Sequence, residues 1–132
     1  MTIVVDSAAM INALIDAGSP ELMAEMSRHE LVAPHLLDLE VLSVLRKLVF
    51  RGVLSETDAD DAHDLYADMN VTRYASDGMA KRIWSLRATL NCYDAAYVVL
   101  AEVLQVPLVT CDAKMAVAAK KHEATIQVFY PC

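Results

Sequence analysis

Four acidic side chains stand where short apolar segments end or where helical patterns begin. Asp6 directly follows "TIVV", and Asp112 directly follows "PLVTC". Glu40 lies inside an apolar helical pattern, and Asp94 stands near the start of "NCYDAAYVVLAEVL". A set of carboxylate oxygens selects a hard divalent cation, Mg²⁺ or Mn²⁺, over zinc. If the fold brings the four acids together, they form a candidate metal-binding and catalytic site.

Each of these acids also has a purely structural interpretation. Asp6 and Asp112 suit the N-cap position of the helix that follows, and Asp94 three residues after Asn91 resembles a capping box. Glu40 falls at the margin of an apolar helix stripe, where a boundary glutamate is common. Two like charges about 4 Å apart repel by about 4 kcal/mol at an effective dielectric constant near 20. Four converging carboxylates would therefore need protons or a cation. The presence of all four acids together thus favours a metal site over four separate structural roles.

The elements that must position these acids alternate along the chain. Predicted strands occupy 2–5, 31–34, 71–75, 107–111 and 125–130. Predicted helices occupy 7–18, 19–29, 36–51, 55–68, 77–90, 91–104 and 113–122. This alternation predicts one three-layer α/β/α domain over residues 1–132, with a central, mostly parallel sheet of four to five strands. Ligands of such sheets bind at the carboxyl ends of the strands, where Asp6 and Asp112 are expected.

The composition limits the classes of protein to consider. A hydrophobic fraction of 56% in 132 residues predicts a large core or an extra apolar face that a partner covers. No apolar run reaches the ~18 residues of a membrane span, and "MTIVVDSAAM" does not have the basic start of a secretory signal. Cys92, Cys111 and Cys132 are odd in number and form no CxxC pair, which predicts reduced thiols in a cytosol and argues against a zinc site.

The net charge of −7 is unevenly distributed. The segment 55–68 holds six acids and no Lys or Arg, which leaves 12 acids against 11 bases in the rest of the chain. Setting aside the four candidate site acids leaves eight acids against the same 11 bases, so a polyanionic partner is compatible with the charge. Lys114 is the first candidate for a phosphate contact because it follows Asp112 so closely.

Three blocks of the sequence resemble the PIN-domain nucleases, and most closely the toxins of VapBC-type toxin–antitoxin modules. They are "IVVDSAAMINALI", "PHLLDLEVLSVLRKL" and "LNCYDAAYVVLAEVLQVPLVTCDAKM", in the order that this family has them. The resemblance covers essentially the whole chain, and the last block is the most specific. The sequence departs from the family pattern at Ala8, where a second Ser or Thr is frequent, and at Ala113, where a basic residue often follows the last Asp. Neither departure removes a carboxylate.

The resemblance implies a cytoplasmic Mg²⁺- or Mn²⁺-dependent endoribonuclease. It implies that Asp6, Glu40, Asp94 and Asp112 hold the metal and that Ser7 and Thr110 are supporting hydroxyls. It also implies a homodimer and a cognate antitoxin that binds an apolar groove and inhibits the site. Surplus apolar residues are available for such a groove, for example Met23, Met26, Leu48, Val49 and Phe50.

Two other functions are compatible with the fold class. A phospho-acceptor receiver domain has similar length, but it requires an acidic pair after the first strand, and here Asp6 stands alone. A degenerate nuclease fold that only binds its partners is the second alternative. The presence of all four acids argues against it.

Overall fold

The central sheet has five parallel strands in the order β3-β2-β1-β4-β5, in a computed structural model that describes residues 1–15, 20–122, 127–129 and 131–132. The strands are β1 (Thr2–Val5), β2 (Glu30–Pro34), β3 (Val71–Tyr74), β4 (Leu108–Val109) and β5 (Val128–Phe129). The predicted α/β/α class and the strand number of four to five are confirmed.

Seven helices connect and flank the strands. They are α1 (Ser7–Leu14), α2 (Pro20–Met26), α3 (Leu36–Phe50), α4 (Glu56–Asp68), α5 (Ala80–Ser85), α6 (Cys92–Leu104) and α7 (Ala113–His122), with a 3₁₀ turn at Asp77–Met79. The chain adds strands on one side of β1 up to β3 and then returns to add β4 and β5 on the other side. Right-handed crossovers then place α1 to α4 on one face of the sheet and α5 to α7 on the other.

Helix α6 is the centre of the core. All seven residues from Ala95 to Ala101 are buried, and the helix packs against β1, β2 and β4. Only a helix that is apolar all round can be buried in this way, which explains the scarcity of polar residues in its sequence. Asn91 caps its start by accepting a hydrogen bond from the Asp94 N–H at 2.8 Å. The first turn of α6 is therefore held rigidly by the core behind it.

The helix predicted over 77–90 is shorter than expected. It is a 3₁₀ turn followed by α5, which ends at Ser85, and residues 86–89 form turns. Backbone bonds of the i→i+3 type, such as Arg87 N–H to Trp84 O at 3.1 Å, replace the helical pattern there. Leu86 and Leu90 are both buried, and the Leu90 N–H bonds to Leu86 O at 3.0 Å, so the i→i+4 spacing persists at the end of this segment. The helix predicted over 7–18 is too long, because α1 ends at Leu14 and Ile15 has an extended backbone. Residues 16–19 and parts of the last predicted strand lie outside the described residues.

The cysteine prediction is wrong for two of the three residues. A disulfide joins Cys111 to Cys132, with a Cα–Cα distance of 5.4 Å, while Cys92 is a free, exposed thiol. Because β5 pairs with β4, the last residue of the chain returns beside the segment that follows β4. Residues 21 positions apart come together through this strand pairing, which the spacing of cysteines in the sequence does not reveal.

The apolar residues singled out for a partner surface have different environments. Met26 is fully buried, and Met23 and Leu48 pack against the core, so these side chains belong to the fold itself. Phe50 is 73% exposed and remains available to a partner. Among the helices that the structure describes, none has the length and apolar character needed to cross a membrane.

Candidate metal-binding and catalytic site

Strands β1 and β4 form the topological switch point of the sheet, because the chain connections leave them in opposite directions. The two strands pair in parallel with Val5 opposite Val109, and the Asp6 N–H donates to Val109 O at 3.1 Å. Asp6 and Asp112 therefore leave the carboxyl edge of neighbouring strands. This is the location at which open parallel sheets bind their ligands.

Asp6 is 3% exposed and has partners for both carboxylate oxygens. Its Oδ1 accepts from the Ala9 N–H at 2.8 Å, which confirms the N-cap interpretation, and its Oδ2 accepts from the Thr110 hydroxyl. Burial raises the pKa of Asp6 to about 6, and the charge of Asp112 adds to this, although hydrogen bonds from Thr110 and Ala9 oppose the shift. A buried carboxyl that takes up protons near neutrality is suited to exchange its proton for a cation.

Thr110 connects two of the acids. Its fully buried hydroxyl donates to Asp6 and accepts from the Asp112 N–H at 2.9 Å. Asp112 in turn caps α7, because its Oδ1 accepts from the N–H groups of Lys114 at 3.0 Å and Met115 at 3.2 Å. The supporting position expected for Thr110 thus agrees with the geometry. The capping interpretation of Asp112 is also correct.

Asp94 forms a reciprocal cap with Asn91 at the start of α6. The Asn91 side-chain amide donates to Asp94 Oδ2 at 3.3 Å, and the Asp94 N–H donates back to Asn91 Oδ1. Burial raises the pKa of Asp94, and the charge of Asp112 raises it further against the opposing Asn91 bond. The acid is half-buried and keeps capacity to accept further ligands.

Glu40 projects from α3 and is held by two hydroxyl groups. The Tyr97 hydroxyl donates to Glu40 Oε1 at 2.5 Å, and the Ser7 hydroxyl bonds to the same carboxylate. Burial raises the pKa of Glu40, and the charge of Asp94 contributes to the rise. The residue is half-buried, as its place at the margin of the apolar stripe predicts.

The four acids are close enough that their charges influence one another. The charge of Asp94 acts on Glu40, and the charge of Asp112 acts on both Asp94 and Asp6. Within the described residues, however, no three acidic, His or Cys side chains already stand close enough together to hold a metal ion. The donor types and raised pKa values fit a hard divalent cation, and its binding would draw the carboxylates closer.

Tyr97 is a site residue that the sequence analysis missed. It is 1% exposed, and its pKa is raised by burial and by its hydrogen bond to Glu40. In the sequence it looks like one more apolar residue of α6. The available signal is that a buried tyrosine needs a partner for its hydroxyl, and that Tyr97 lies three positions after Asp94 on the same helix.

Asp38 is not a second ligand of this site. It accepts from the Tyr66 hydroxyl at 2.6 Å and forms an ion pair with Arg73 at 2.9 Å. These contacts tie the start of α3 to α4 and β3. Although partial burial opposes it, hydrogen bonds from Arg73 and Tyr66 hold the pKa of Asp38 below its usual value. Asp38 is therefore a structural anchor near the site.

The basic residues differ in whether their side chains already contact other groups of the protein. Lys114 is exposed beside Asp112, as expected for a candidate phosphate contact. Arg82 forms an ion pair with Glu102 at 3.1 Å, whereas Arg46 lies over the Phe50 ring and Arg87 over the Trp84 ring. Of these, Lys114 is the cation closest in sequence to a site acid, two positions after Asp112.

The chain is similar in sequence and in fold to several known proteins. The sequence profile of the PIN domain family matches residues 3–121. A VapC ribonuclease of Mycobacterium bovis, Mb0985, is 42% identical over 113 residues, which cover 86% of this chain and 87% of that protein. Ribonuclease VapC1 of Mycobacterium tuberculosis is 39% identical over 87% of this chain and 89% of its own length. Ribonuclease VapC12 of the same species is 32% identical over 96% of this chain and 98% of its own length.

The crystal structure of FitAcB from Neisseria gonorrhoeae has a similar fold, with a TM-score of 0.61 over 96% of both chains and 12% sequence identity. At that identity the likeness concerns the fold alone. The sequence similarities extend over nearly the whole chain and include the segments that carry the four acids. The chain therefore belongs to the PIN domain family, in which it is similar to the VapC ribonucleases.

Proposed function

We propose that this protein is a metal-dependent endoribonuclease and the toxin of a toxin–antitoxin pair. The observation that carries the proposal is the series of four electrostatically coupled carboxylates at the switch point of the sheet. Raised pKa values at three of them mean that the metal-free site is electrostatically unfavourable. Relatives named as ribonucleases support RNA as the substrate.

Asp6, Glu40, Asp94 and Asp112 would hold Mg²⁺ or Mn²⁺, which when bound polarises a phosphate and makes a water molecule more acidic. The residues of the chain supply position and charge. Thr110 keeps the Asp6 and Asp112 segments in register through its two hydrogen bonds. Tyr97 on α6 holds the Glu40 carboxylate from the opposite helix layer, and Ser7 at the start of α1 holds it from the same layer. Because α6 is buried behind Asp94, that carboxylate moves little when the site is loaded.

The charge distribution allows RNA to approach. The acidic segment 55–68 forms α4, which contacts α3 and α1 and carries none of the four site acids. Cation binding would neutralise part of the site, and outside segment 55–68 the 11 Lys and Arg residues then face only the eight acids that are not part of the site. Lys114 is the proposed phosphate contact because it is exposed two residues after Asp112.

The proposed partners follow from the same assignment. An antitoxin segment would cover an apolar groove and inhibit the site, and the protein would act as a homodimer in the cytoplasm, where its RNA substrate is. Exposed apolar side chains are available for both contacts. They include Leu39, Phe50, Val53, Val103 and Val117.

Cleavage of RNA by Asp112→Asn tests the proposed function. Asn is as good an N-cap as Asp, so α7 and the fold should be retained. We expect the rate of cleavage with Mn²⁺ to fall by about 10²–10⁴-fold, as for loss of a group that takes part in the chemical step. Chelation of the metal should stop cleavage by the wild-type protein.

The matched control is Asp64→Asn, which makes the same change on the exposed face of α4. It should cleave RNA at the wild-type rate. Equal activity of the Asp112 variant and the wild type, or undiminished cleavage after chelation, would refute the proposal.

Tyr97→Phe tests whether the hydroxyl positions Glu40. Since the Tyr97 bond lowers the pKa of Glu40, its loss should move the acidic limb of the pH–rate profile to higher pH. We expect kcat to fall about tenfold and the free energy of unfolding to fall by about 1 kcal/mol, because water can partly replace the hydroxyl at the half-buried carboxylate.

Tyr66→Phe is the control for this prediction, since it also removes a hydroxyl from a carboxylate, that of Asp38 at 2.6 Å. It should cost similar stability and leave the pH–rate profile unchanged. If both variants shift the profile equally, the effect is structural and Tyr97 has no positioning role.

A further inference from the structure

A cavity of about 610 Å³ lies next to the acid site, at the junction of α5, the turns that follow it and the start of α6. Its lining is mainly apolar and includes the aromatic rings of Trp84 and Tyr93. These side chains are unusually accessible, since Trp84 is 66% and Tyr93 60% exposed. The volume lies within the range of about 300–1,000 Å³ that is typical of small-molecule sites.

Asn91 connects the cavity to the proposed catalytic acids. It lines the cavity, and its side-chain amide donates to Asp94 Oδ2 at 3.3 Å. Tyr93 also lines the cavity and directly precedes Asp94, and Leu36 on the opposite wall lies one helical turn before Glu40. A ligand in the cavity is therefore an immediate neighbour of any phosphate that reaches the acids.

The charge of the cavity differs from that of the whole chain. Although the protein carries a net charge of −7, the residues lining the cavity include no Asp or Glu, and Arg87 is their only charged side chain. Its guanidinium lies 4.6 Å from the centroid of the Trp84 ring, and none of the recorded ion pairs of the described residues includes it. The cavity therefore combines aromatic faces with a cation, which complements a base attached to a negatively charged backbone.

We propose that this cavity binds an unpaired nucleobase of the RNA, one that flanks the scissile phosphate, by stacking on Trp84 and Tyr93 with Arg87 facing the backbone. The inference rests on the proposed ribonuclease function. Single-stranded RNA is recognised by bases that leave the stack and pack on aromatic or guanidinium planes. Ser76 and Asn91, which also line the cavity, are the polar side chains that can contact base edges.

A purely apolar peptide is the competing occupant. It would profit from Trp84 and Tyr93 but gains nothing from the arginine. An uncharged peptide would also have no need of an arginine that lacks an acidic neighbour in the cavity, whereas a phosphate would. The combination of charge and aromatic faces beside the acids therefore favours the base.

Binding of a single base can be measured without cleavage. Trp84 is the only tryptophan of the chain, so its fluorescence reports directly on the cavity. Titration with nucleoside 5′-monophosphates should give saturable quenching, whereas ribose 5-phosphate, which has no base, should give none. Arg87→Met should weaken the apparent affinity by about fivefold or more. Because a mononucleotide contains no phosphodiester bond between nucleosides, this result does not depend on the nuclease activity.

Unsaturable quenching, or an equal response to ribose 5-phosphate, would overturn the proposal. So would a change of Trp84 emission on raising the protein concentration alone with no response to nucleotides, since that result assigns the cavity to a contact between two copies of the chain. A response only to an apolar peptide would overturn it in favour of a protein partner.

Cleavage assays test the role of the subsite in catalysis. Trp84→Ala should lower kcat/KM on a short single-stranded RNA by about tenfold, an effect expected for loss of one stacked base. Replacing the flanking nucleotide by an abasic one should have the same effect on the wild type and almost none on Trp84→Ala.

Leu65→Ala is the matched control, because Leu65 is an exposed apolar side chain of α4, the helix that carries none of the four site acids. It should leave kcat/KM unchanged. Equal losses in the two variants contradict the proposal. If the wild-type protein cleaves no RNA, the proposed function fails, and the fluorescence titration still decides whether the cavity binds a base.

Discussion

Replacing Asp6 by Asn is expected to abolish RNA cleavage and, at the same time, to stabilise the metal-free protein. The carboxylate is 3% exposed, and burial raises its pKa from an ordinary value of 3.8 to about 6. A rise of this size corresponds to about 3 kcal/mol of unfavourable free energy for the ionised form at neutral pH. A neutral amide removes this cost.

The amide can also keep the local hydrogen bonds. The Asn oxygen can accept from the Ala9 N–H in place of Asp6 Oδ1, and the Thr110 hydroxyl can rotate to accept from the amide nitrogen. We therefore expect the free energy of unfolding at about pH 7.5 to rise by about 1–3 kcal/mol, measured by urea denaturation with a chelator present. The rate of RNA cleavage should fall by at least about 10²-fold.

Asp64→Asn serves again as the control, since that carboxylate is exposed on α4. It should change neither property. An Asp6→Asn protein that is both less stable and inactive would mean that Asp6 is mainly a structural cap. An active variant would remove Asp6 from the catalytic set.

The stability of the metal-free protein is expected to rise as the pH falls from about 7.5 to about 5. Asp6 has a folded-state pKa above its unfolded value, so the stability that its protonated form contributes is fully present below pH 3.8 and is lost as the pH rises through about 6. Glu40 and Asp94 also have raised pKa values, so they act in the same direction. The contribution of Asp6 amounts to about 1.4 kcal/mol over this window, and to about 3 kcal/mol once the pH has fallen below 3.8.

A bound cation should replace the protons in this role. At about pH 7.5, Mn²⁺ at 100 times its dissociation constant should raise the free energy of unfolding by about 2.7 kcal/mol. The same total Mn²⁺ concentration should give a much smaller increase at about pH 5, because protons then compete for the carboxylates. Thermal unfolding with and without Mn²⁺ at both pH values provides the measurement.

Asp94→Asn should lose most of the Mn²⁺ stabilisation, and Asp64→Asn should keep it. Equal stabilisation of both variants would indicate binding elsewhere, for example to the acids of α4. Stability that falls steadily below pH 7 in the metal-free protein would show that other titrating groups outweigh the site.

The local features of this protein could be predicted because they depend on neighbours in the chain. Asn91 and Asp6 cap helices through bonds to residues three positions away, as the residue types at these helix starts predict. The alternation of apolar strands and helices likewise predicts parallel pairing and places Asp6 and Asp112 at one edge of the sheet. The assignment of the four acids to a metal site stays a prediction, supported by their electrostatic coupling.

What the sequence alone determined is therefore the fold class, most element positions and the candidate acids, since periodicity, capping and burial of apolar residues act over a few residues. Only the tertiary structure decided which distant residues meet. Tyr97 reaches Glu40 across 57 positions, Thr110 reaches Asp6 across 104, and Cys111 meets Cys132 through the pairing of β4 with β5. Such contacts arise from strand order and layer packing, and no local pattern encodes them.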